Sequence, residues 1–258
     1  MNALVAIDWH VIWLRVFHPN NVFARALWAT VWISIVAQFF GVLLGLLAAL
    51  ARMSRFAPLR WISAVYVWVF RGTPVLVQIF YVYFAFSWPT IHFGFWTVTD
   101  AALAATVALS INEGAYMREI VRAGIDAIDR GQMEAAKSVG MTYGLAMRRI
   151  ILPQAARVIV PPLGNEFNNM MKTTSLAYTI GVYELFADAE QGYSATFIAD
   201  YFLAVAVWYL VLTSVWTVIQ AWIERRLAVS ERGEELSFRE RLQTAWNPIT
   251  SWARGGGG

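Results

Sequence analysis

The chain has 258 residues, 59% of them hydrophobic and 14% charged, where an ordinary soluble domain has about 45–50% and about 25%. One core of this size cannot absorb that apolar excess without exposing large patches, so the composition excludes a soluble enzyme, a disordered tail or a nucleic-acid module and points to a lipid-embedded protein. Cys is absent, the three His (His10, His18, His92) are dispersed, and the net charge is only +3, which excludes disulfides and thiolate metal sites and makes the placement of charge the informative quantity.

Residues 1–7 lack a basic n-region, and no small-residue cleavage site precedes the first long apolar run, so a secretory signal peptide is not expected. Residues 26–50 contain no charge and exceed the roughly 20 residues that cross about 30 Å of hydrocarbon. Residues 61–88 are equally long but hold Arg71, Pro74 and Gln78. Residues 98–120 carry Asn112 and Glu113 near their middle. Residues 158–186 are the most polar of the apolar runs, with Pro161, Pro162, Asn165, Glu166 and Lys172. Residues 201–223 are again free of charge. Trp61, Trp68, Tyr81, Tyr83, Trp88 and Trp96 read as interface belt and lipid contact.

Basic residues orient these five spans, because positive charge stays cytoplasmic. Arg52, Arg55 and Arg60 follow the first span. Arg122, Arg130, Lys137, Arg148, Arg149 and Arg157 lie between the third and fourth. The stretches 88–97 and 184–197 have no Lys or Arg, and the second is acidic through Glu184, Asp188 and Glu190. The tail holds Arg225, Arg226, Arg232, Arg239, Arg241 and Arg254. The N-terminus is therefore expected outside and the C-terminus inside, with Arg15 and Arg25 a mild exception.

Ionisable groups at membrane depth face a protein interior or a cavity. Arg71 reads either as a snorkelling or interhelical structural residue or as an anion contact. In Arg71-Gly72-Thr73-Pro74 the proline removes a backbone donor and breaks the helix, which suits a transport site or a packing kink. Glu113 either protonates or takes a cationic partner, supplied by an internal Arg or Lys or by the ammonium of a translocated substrate. Lys172, with Thr174 and Ser175 after it, is the complementary cation, although the two charges also suit a direct pair.

Residues 131–144 form a long cytoplasmic loop. Glu134-Ala135-Ala136-Lys137-Ser138-Val139 has high helix propensity, and Gly140 and Gly144 interrupt it, so one or two short surface helices joined at Gly140 and a docking surface are expected. Gly131 to Ser138 reads G-x-x-x-x-A-K-S, one residue from a phosphate-binding P-loop. The site of the second Gly is Ala136 and no strand precedes the run, so that motif is rejected.

Glu134-Ala135-Ala136, Gly140 and Ile150-Ile151-Leu152-Pro153 resemble the "EAA" signature of permeases of ATP-binding-cassette (ABC) importers. With Arg71-Gly72-Thr73-Pro74, Asn112-Glu113-Gly114-Ala115-Tyr116, Gly131-Gln132, Pro161-Pro162-Leu163-Gly164-Asn165 and Lys172-Thr173-Thr174-Ser175-Leu176, residues 21–223 look like the polar amino-acid permeases (His, Gln, Glu, Arg or opine type). The resemblance implies an all-α polytopic membrane protein of the type I importer permease fold, with five transmembrane helices and short cytoplasmic coupling helices. It implies a bacterial inner-membrane, multi-pass subunit that is no enzyme and holds no cofactor. ATP and Mg would bind to two partner ATPase subunits, beside a second permease subunit and a periplasmic solute-binding protein. An amino-acid substrate would cross by alternating access.

On this reading residues 1–25 are a periplasmic segment, 26–223 the permease domain with its coupling loop at about 130–149, and 224–258 a cytoplasmic tail. Carried over, Glu134, Ala135, Ala136, Gly140 and Gly131 are coupling positions. Glu113, Asn112, Lys172, Thr174, Ser175, Arg71 and Gln78 are substrate-pathway candidates. Two departures stand out: Thr173 where the family often has an acidic or amide residue, and Ala123 where it has Gly. The rivals are a self-contained secondary transporter or channel using Glu113 as a relay, and a membrane enzyme. The enzyme lacks any catalytic constellation in the sequence.

Overall fold

The structure, a computed structural model, describes residues 7–94 and 96–228. Residues 1–6 of the N-terminal segment and the tail beyond 228, with Arg232, Arg239, Arg241 and Arg254, lie outside the described residues. The chain divides into a unit Met1–Glu224 and a unit Arg225–Gly258. Of the second, only the end of the last helix is described.

Among the described residues ten α-helices follow in chain order. Helices α1 (Trp9–Phe17) and α2 (Asn21–Met53) are separated by a short turn, and Asn20 caps α2 by accepting from the Phe23 N–H at 2.8 Å. Helix α2 thus starts before the uncharged run and is long enough, at about 1.5 Å per residue, to extend past both faces of a bilayer. Helices α3 (Ala57–Gly72) and α4 (Val75–Ala85) meet at Thr73-Pro74 with a bend of 108°. The break expected at Pro74 thus divides the run 61–88 into two helices.

Between α4 and α5 a two-stranded antiparallel ribbon, β1 (Ile91–Phe93) and β2 (Trp96–Val98), pairs Ile91 with Val98 and Phe93 with Trp96. The all-α expectation is corrected here. β-Branched and aromatic residues flank Gly94, whose φ of 54° makes the turn.

Helix α5 (Asp100–Asp126) runs through the middle of the fold, packed by α2, α3, α4 and α8. A short α6 (Arg130–Ser138), α7 (Tyr143–Ala146) and a π-turn (Met147–Ile151) lead into α8 (Leu152–Thr173). A 3₁₀ segment (Thr174–Ile180) ends at Gly181, whose left-handed φ of 93° stops it. The expected span over 158–186 is thus an α-helix that changes pitch at Thr174. Helices α9 (Leu185–Thr196) and α10 (Asp200–Ala228) follow.

Among the described residues α2 and α10 are each apolar and long enough to cross a membrane by themselves, with a third crossing if α3 and α4 form one bent span. Helix α5 escapes that test because it is an interior helix. Ser110, Asn112, Glu113 and Arg118 are all buried in it, so protein, not lipid, surrounds its polar groups.

The contact between α2 and α5 is unusually close. Ala37, Gly41, Gly45 and Ala49 recur every fourth residue and all are buried, the small-residue spacing that lets membrane helices approach. A Cβ on Gly41 would fall 2.5 Å from Glu113 Cγ, and one on Gly45 would fall 2.9 Å from the Arg118 backbone nitrogen. The core of Ile33, Ile79, Ala105, Leu109 and Met170 sits around this seam.

A second cluster of Phe23, Leu185, Ala189 and Val205 joins the start of α2 to α9 and α10. Glu184 caps α9 there, accepting from the Phe186 and Ala187 N–H groups at 2.9 Å each, and the Tyr209 hydroxyl donates to it. Arg15 of α1 pairs with Asp188 of α9 at 3.2 Å.

Gly45→Val is expected to push α2 from α5 and cost about 1–3 kcal/mol, which lowers the melting temperature of the purified chain by about 2–4 °C per kcal/mol. Gly72→Ala, at a position with nothing within 4 Å of an added Cβ, serves as the unchanged control. Equal melts for the two variants would contradict the close seam.

Candidate functional site

The polar groups at membrane depth fall into two arrangements. The first repairs the helix break. Pro74 has no N–H to give to the carbonyl four residues earlier, that of Phe70. Gln78 Nε2 donates to the Phe70 carbonyl at 2.9 Å, the Thr73 carbonyl at 3.1 Å and Thr73 Oγ1 at 2.8 Å. Asn112 Nδ2 donates to the same Phe70 carbonyl at 3.1 Å and to Gln78 Oε1 at 2.9 Å. The two amides are buried and lock the break onto α5. Arg71, exposed just before the break, lies over the Tyr116 ring, 5.2 Å from its centroid.

The second arrangement surrounds Glu113. Its side chain is 4% exposed, and Gln38 Nε2 donates to Glu113 Oε1 at 3.0 Å. The Gln38 amide oxygen is buried without a donor. Among the described residues no cation pairs with Glu113.

Lys172 lies exposed in the last turn of α8, and its carbonyl accepts from the Ser175 hydroxyl at 2.7 Å. Thr174 is fully buried and donates to the Met171 carbonyl at 2.8 Å. The structure brings Asn112 and Gln78 together and sets Glu113 one residue along α5. It forms no pair between Glu113 and Lys172.

The loop that holds Gly131 to Gly144 has a defined geometry. Asp129 caps α6 by accepting from the Gly131 N–H at 2.6 Å, and a Cβ on Gly131 would fall 2.9 Å from that capping oxygen. At the other end the Gly140 N–H donates to the Lys137 carbonyl at 2.9 Å and the Met141 N–H to the Ala136 carbonyl at 3.1 Å. This is the Schellman pattern, with Gly140 at the left-handed position, φ 82°. Thr142 then caps α7.

The two alanines of the Glu134-Ala135-Ala136 run divide. Ala136 is 2% exposed and packs inward, while Glu134 and Ala135 face out. Beside them Val139 (77% exposed), Tyr143 (56%) and Leu145 (43%) stand clear of the chain.

Gln38 was not singled out by the sequence, although it is the sole amide in the uncharged run 26–50. Val139, Tyr143 and Leu145 had no such signal, because residue type alone does not tell a loop's apolar contact from its outward face. No group of three or more His, Asp or Glu able to hold a metal ion occurs among the described residues.

Residues 41–229 match the family described as "Binding-protein-dependent transport system inner membrane component". The arginine transport system permease protein ArgU of Corynebacterium glutamicum is 39% identical over 86% of this chain and 72% of its own length. The L-cystine transport system permease protein TcyB of Bacillus subtilis is 39% identical over 86% of this chain and 92% of its own. The glutamine transport system permease protein GlnP of Escherichia coli is 35% identical, over 86% and 98%. A solved structure described as an amino acid ABC transporter with histidines superposes with a TM-score of 0.71 at 38% identity, covering 80% of this chain and 94% of that one.

Gln78→Leu leaves the Phe70 and Thr73 carbonyls short of a donor, at about 1–3 kcal/mol for a buried group left unpaired. The expected result is a lower melting temperature for the purified chain. An unchanged melt with weakened uptake would assign Gln78 to the ligand instead.

Proposed function

The chain belongs to the family of binding-protein-dependent transport system inner membrane components, and we propose that it carries a polar amino acid or amino-acid derivative across the membrane by alternating access. It is a permease subunit of an ABC importer and not itself an enzyme. Its relatives named for arginine, cystine and glutamine support the cargo class.

Five crossings, with the N-terminus outside and the C-terminus in the cytoplasm, agree with the basic residues in alternate loops. In the assembly two permease subunits, two cytoplasmic ATPase subunits that bind ATP and Mg, and an outer solute-binding protein work together. ATP binding closes the ATPase pair, draws the loops together and opens the spans outward. A ligand or nucleotide shifts that equilibrium only through its differential affinity for the two states.

The observation that carries the coupling reading is the outer face of α6 and α7. Glu134 and Ala135 point outward beside Val139, Tyr143 and Leu145. The Gly140 turn fixes the angle between the two helices, and Ala136 and Gly131 hold α6 to its own chain and cap. Such an apolar face rimmed by a carboxylate is suited to a protein groove.

For the cargo, the support is Glu113. It is a buried carboxylate held by a neutral amide, with a spare acceptor on Gln38. An α-ammonium group supplies the missing cation and donors. Thr174, Ser175 and Lys172 flank the pathway at the pitch change of α8, Arg71 stands at the break, and Asn112 and Gln78 shape the wall by holding that break.

In the assembled transporter, Glu134→Lys and Gly140→Val are expected to insert normally and keep ATP hydrolysis while uptake falls by roughly tenfold or more. For Gly140 the strain is about 1–3 kcal/mol, since a β-branched residue resists left-handed backbone. Normal uptake by both variants would contradict the docking role. Glu113→Gln is expected to slow uptake with assembly intact, and unchanged uptake kinetics would remove Glu113 from the pathway.

A further inference from the structure

A basic cavity that the transport reading does not use lies between the end of α2, the middle of α3 and the last turns of α5. Its volume is about 360 Å³, and Arg52, Trp68, Arg118, Glu119 and Arg122 line it with two small aliphatic side chains. Arg118 is 5% exposed and anchored, its Nε donating to Ser63 Oγ at 3.3 Å and its guanidinium pairing with Glu119. Arg122 reaches Glu119 at 3.1 Å and Asp126 at 2.8 Å. No ion pair engages Arg52 among the described residues. Three guanidinium groups therefore share a pocket with one carboxylate, and Asp126 partly offsets Arg122 from outside it.

The surroundings select the kind of anion. Trp68, in the cavity wall, continues an exposed stripe of α3 through Trp61 and Val65, spaced i, i+4 and i+7 along one helix face. A cationic pocket beside an exposed apolar stripe is matched by a molecule with a phosphate at one end and hydrocarbon at the other. A free phosphate would use the guanidinium groups but not the stripe. Arginine suits the role because its planar fork pairs with two phosphate oxygens at once.

We propose that this cavity binds the phosphate headgroup of an anionic phospholipid of the cytoplasmic leaflet, with the acyl chains along α3. The proposal rests on the membrane orientation given above, which places Arg52 and Arg122 on the cytoplasmic side. A bound headgroup neutralises like charges crowded at the inner ends of α2 and α5, and so steadies the helices next to the α6 coupling loop.

The test is native mass spectrometry of the full chain in detergent, titrated with phosphatidylglycerol or with phosphatidylcholine of the same acyl chains. Phosphatidylglycerol is expected to be retained at least tenfold better. Each arginine near the surface contributes about fivefold, so Arg52→Gln/Arg122→Gln is expected to bring the two lipids close to equality. Both side chains are exposed, and an unchanged melt shows that the variant is folded.

Equal retention of the two lipids by the unaltered chain, or a preference that survives in the folded double variant, would overturn the site. Displacement of the lipid by millimolar inorganic phosphate would also overturn it, by identifying a free-anion pocket. The chain has no Cys, so Arg55→Cys carries a single thiol. In intact cells a membrane-impermeant maleimide is expected to leave it unlabelled. Labelling from outside would overturn the orientation, while lost lipid preference with an unlabelled thiol would overturn the site alone.

Discussion

The approach of α2 to α5 is the constraint on which the other features depend. Gly41 and Gly45 let the backbone of α2 lie against the Glu113–Arg118 stretch of α5. In hydrocarbon there is little hydrophobic drive for two helices to associate, so close packing and interhelical hydrogen bonds must hold them. The bond from Gln38 to Glu113 lies in that seam. Because α5 is enclosed by α2, α3, α4 and α8, it can bury Asn112, Glu113 and Arg118, which a lipid-facing helix could not carry. The buried carboxylate, the repaired helix break and the anchored Arg118 are three consequences of one interior helix.

The break between α3 and α4 shows how that helix organises its neighbours. A proline at membrane depth frees a carbonyl, and water is not there to satisfy it. Two side-chain amides, one from α4 and one from α5, converge on the Phe70 carbonyl. The 108° bend is thereby tied to α5, so a movement of α5 must move the break with it. At the C-terminal end of α5 the chain passes through residues 127–129 into α6 and the Gly140 turn. Two successive helices thus join the buried carboxylate to the exposed loop.

Much of this was legible in the sequence where residue type dictates environment. Uncharged runs gave α2 and α10, since nothing but lipid or a large core accepts them. Pro74 marked the break, and Gly140 marked the turn because a left-handed residue is needed there. The sequence did not separate repair from recognition. Asn112 and Gln78 look like ligand groups until their amides are seen on Phe70 and Thr73. It did not reveal that Ala136 turns inward and Ala135 outward, because helix propensity is the same for both. The ribbon at Ile91–Phe93 was missed because three-residue strands carry too little pattern. The Gly41–Gly45 spacing is present in the sequence, but inside an apolar run it carries no sign of which helix it meets.

The central claim is that this chain forms the path and a separate ATPase, seated on the α6–α7 face, supplies the work. The most direct measurement is uptake of a labelled amino acid into vesicles holding the permease, with ATPase, ATP and binding protein each added or withheld. The account predicts uptake only when all three are present. Uptake by the permease alone, driven by a proton gradient, would contradict it.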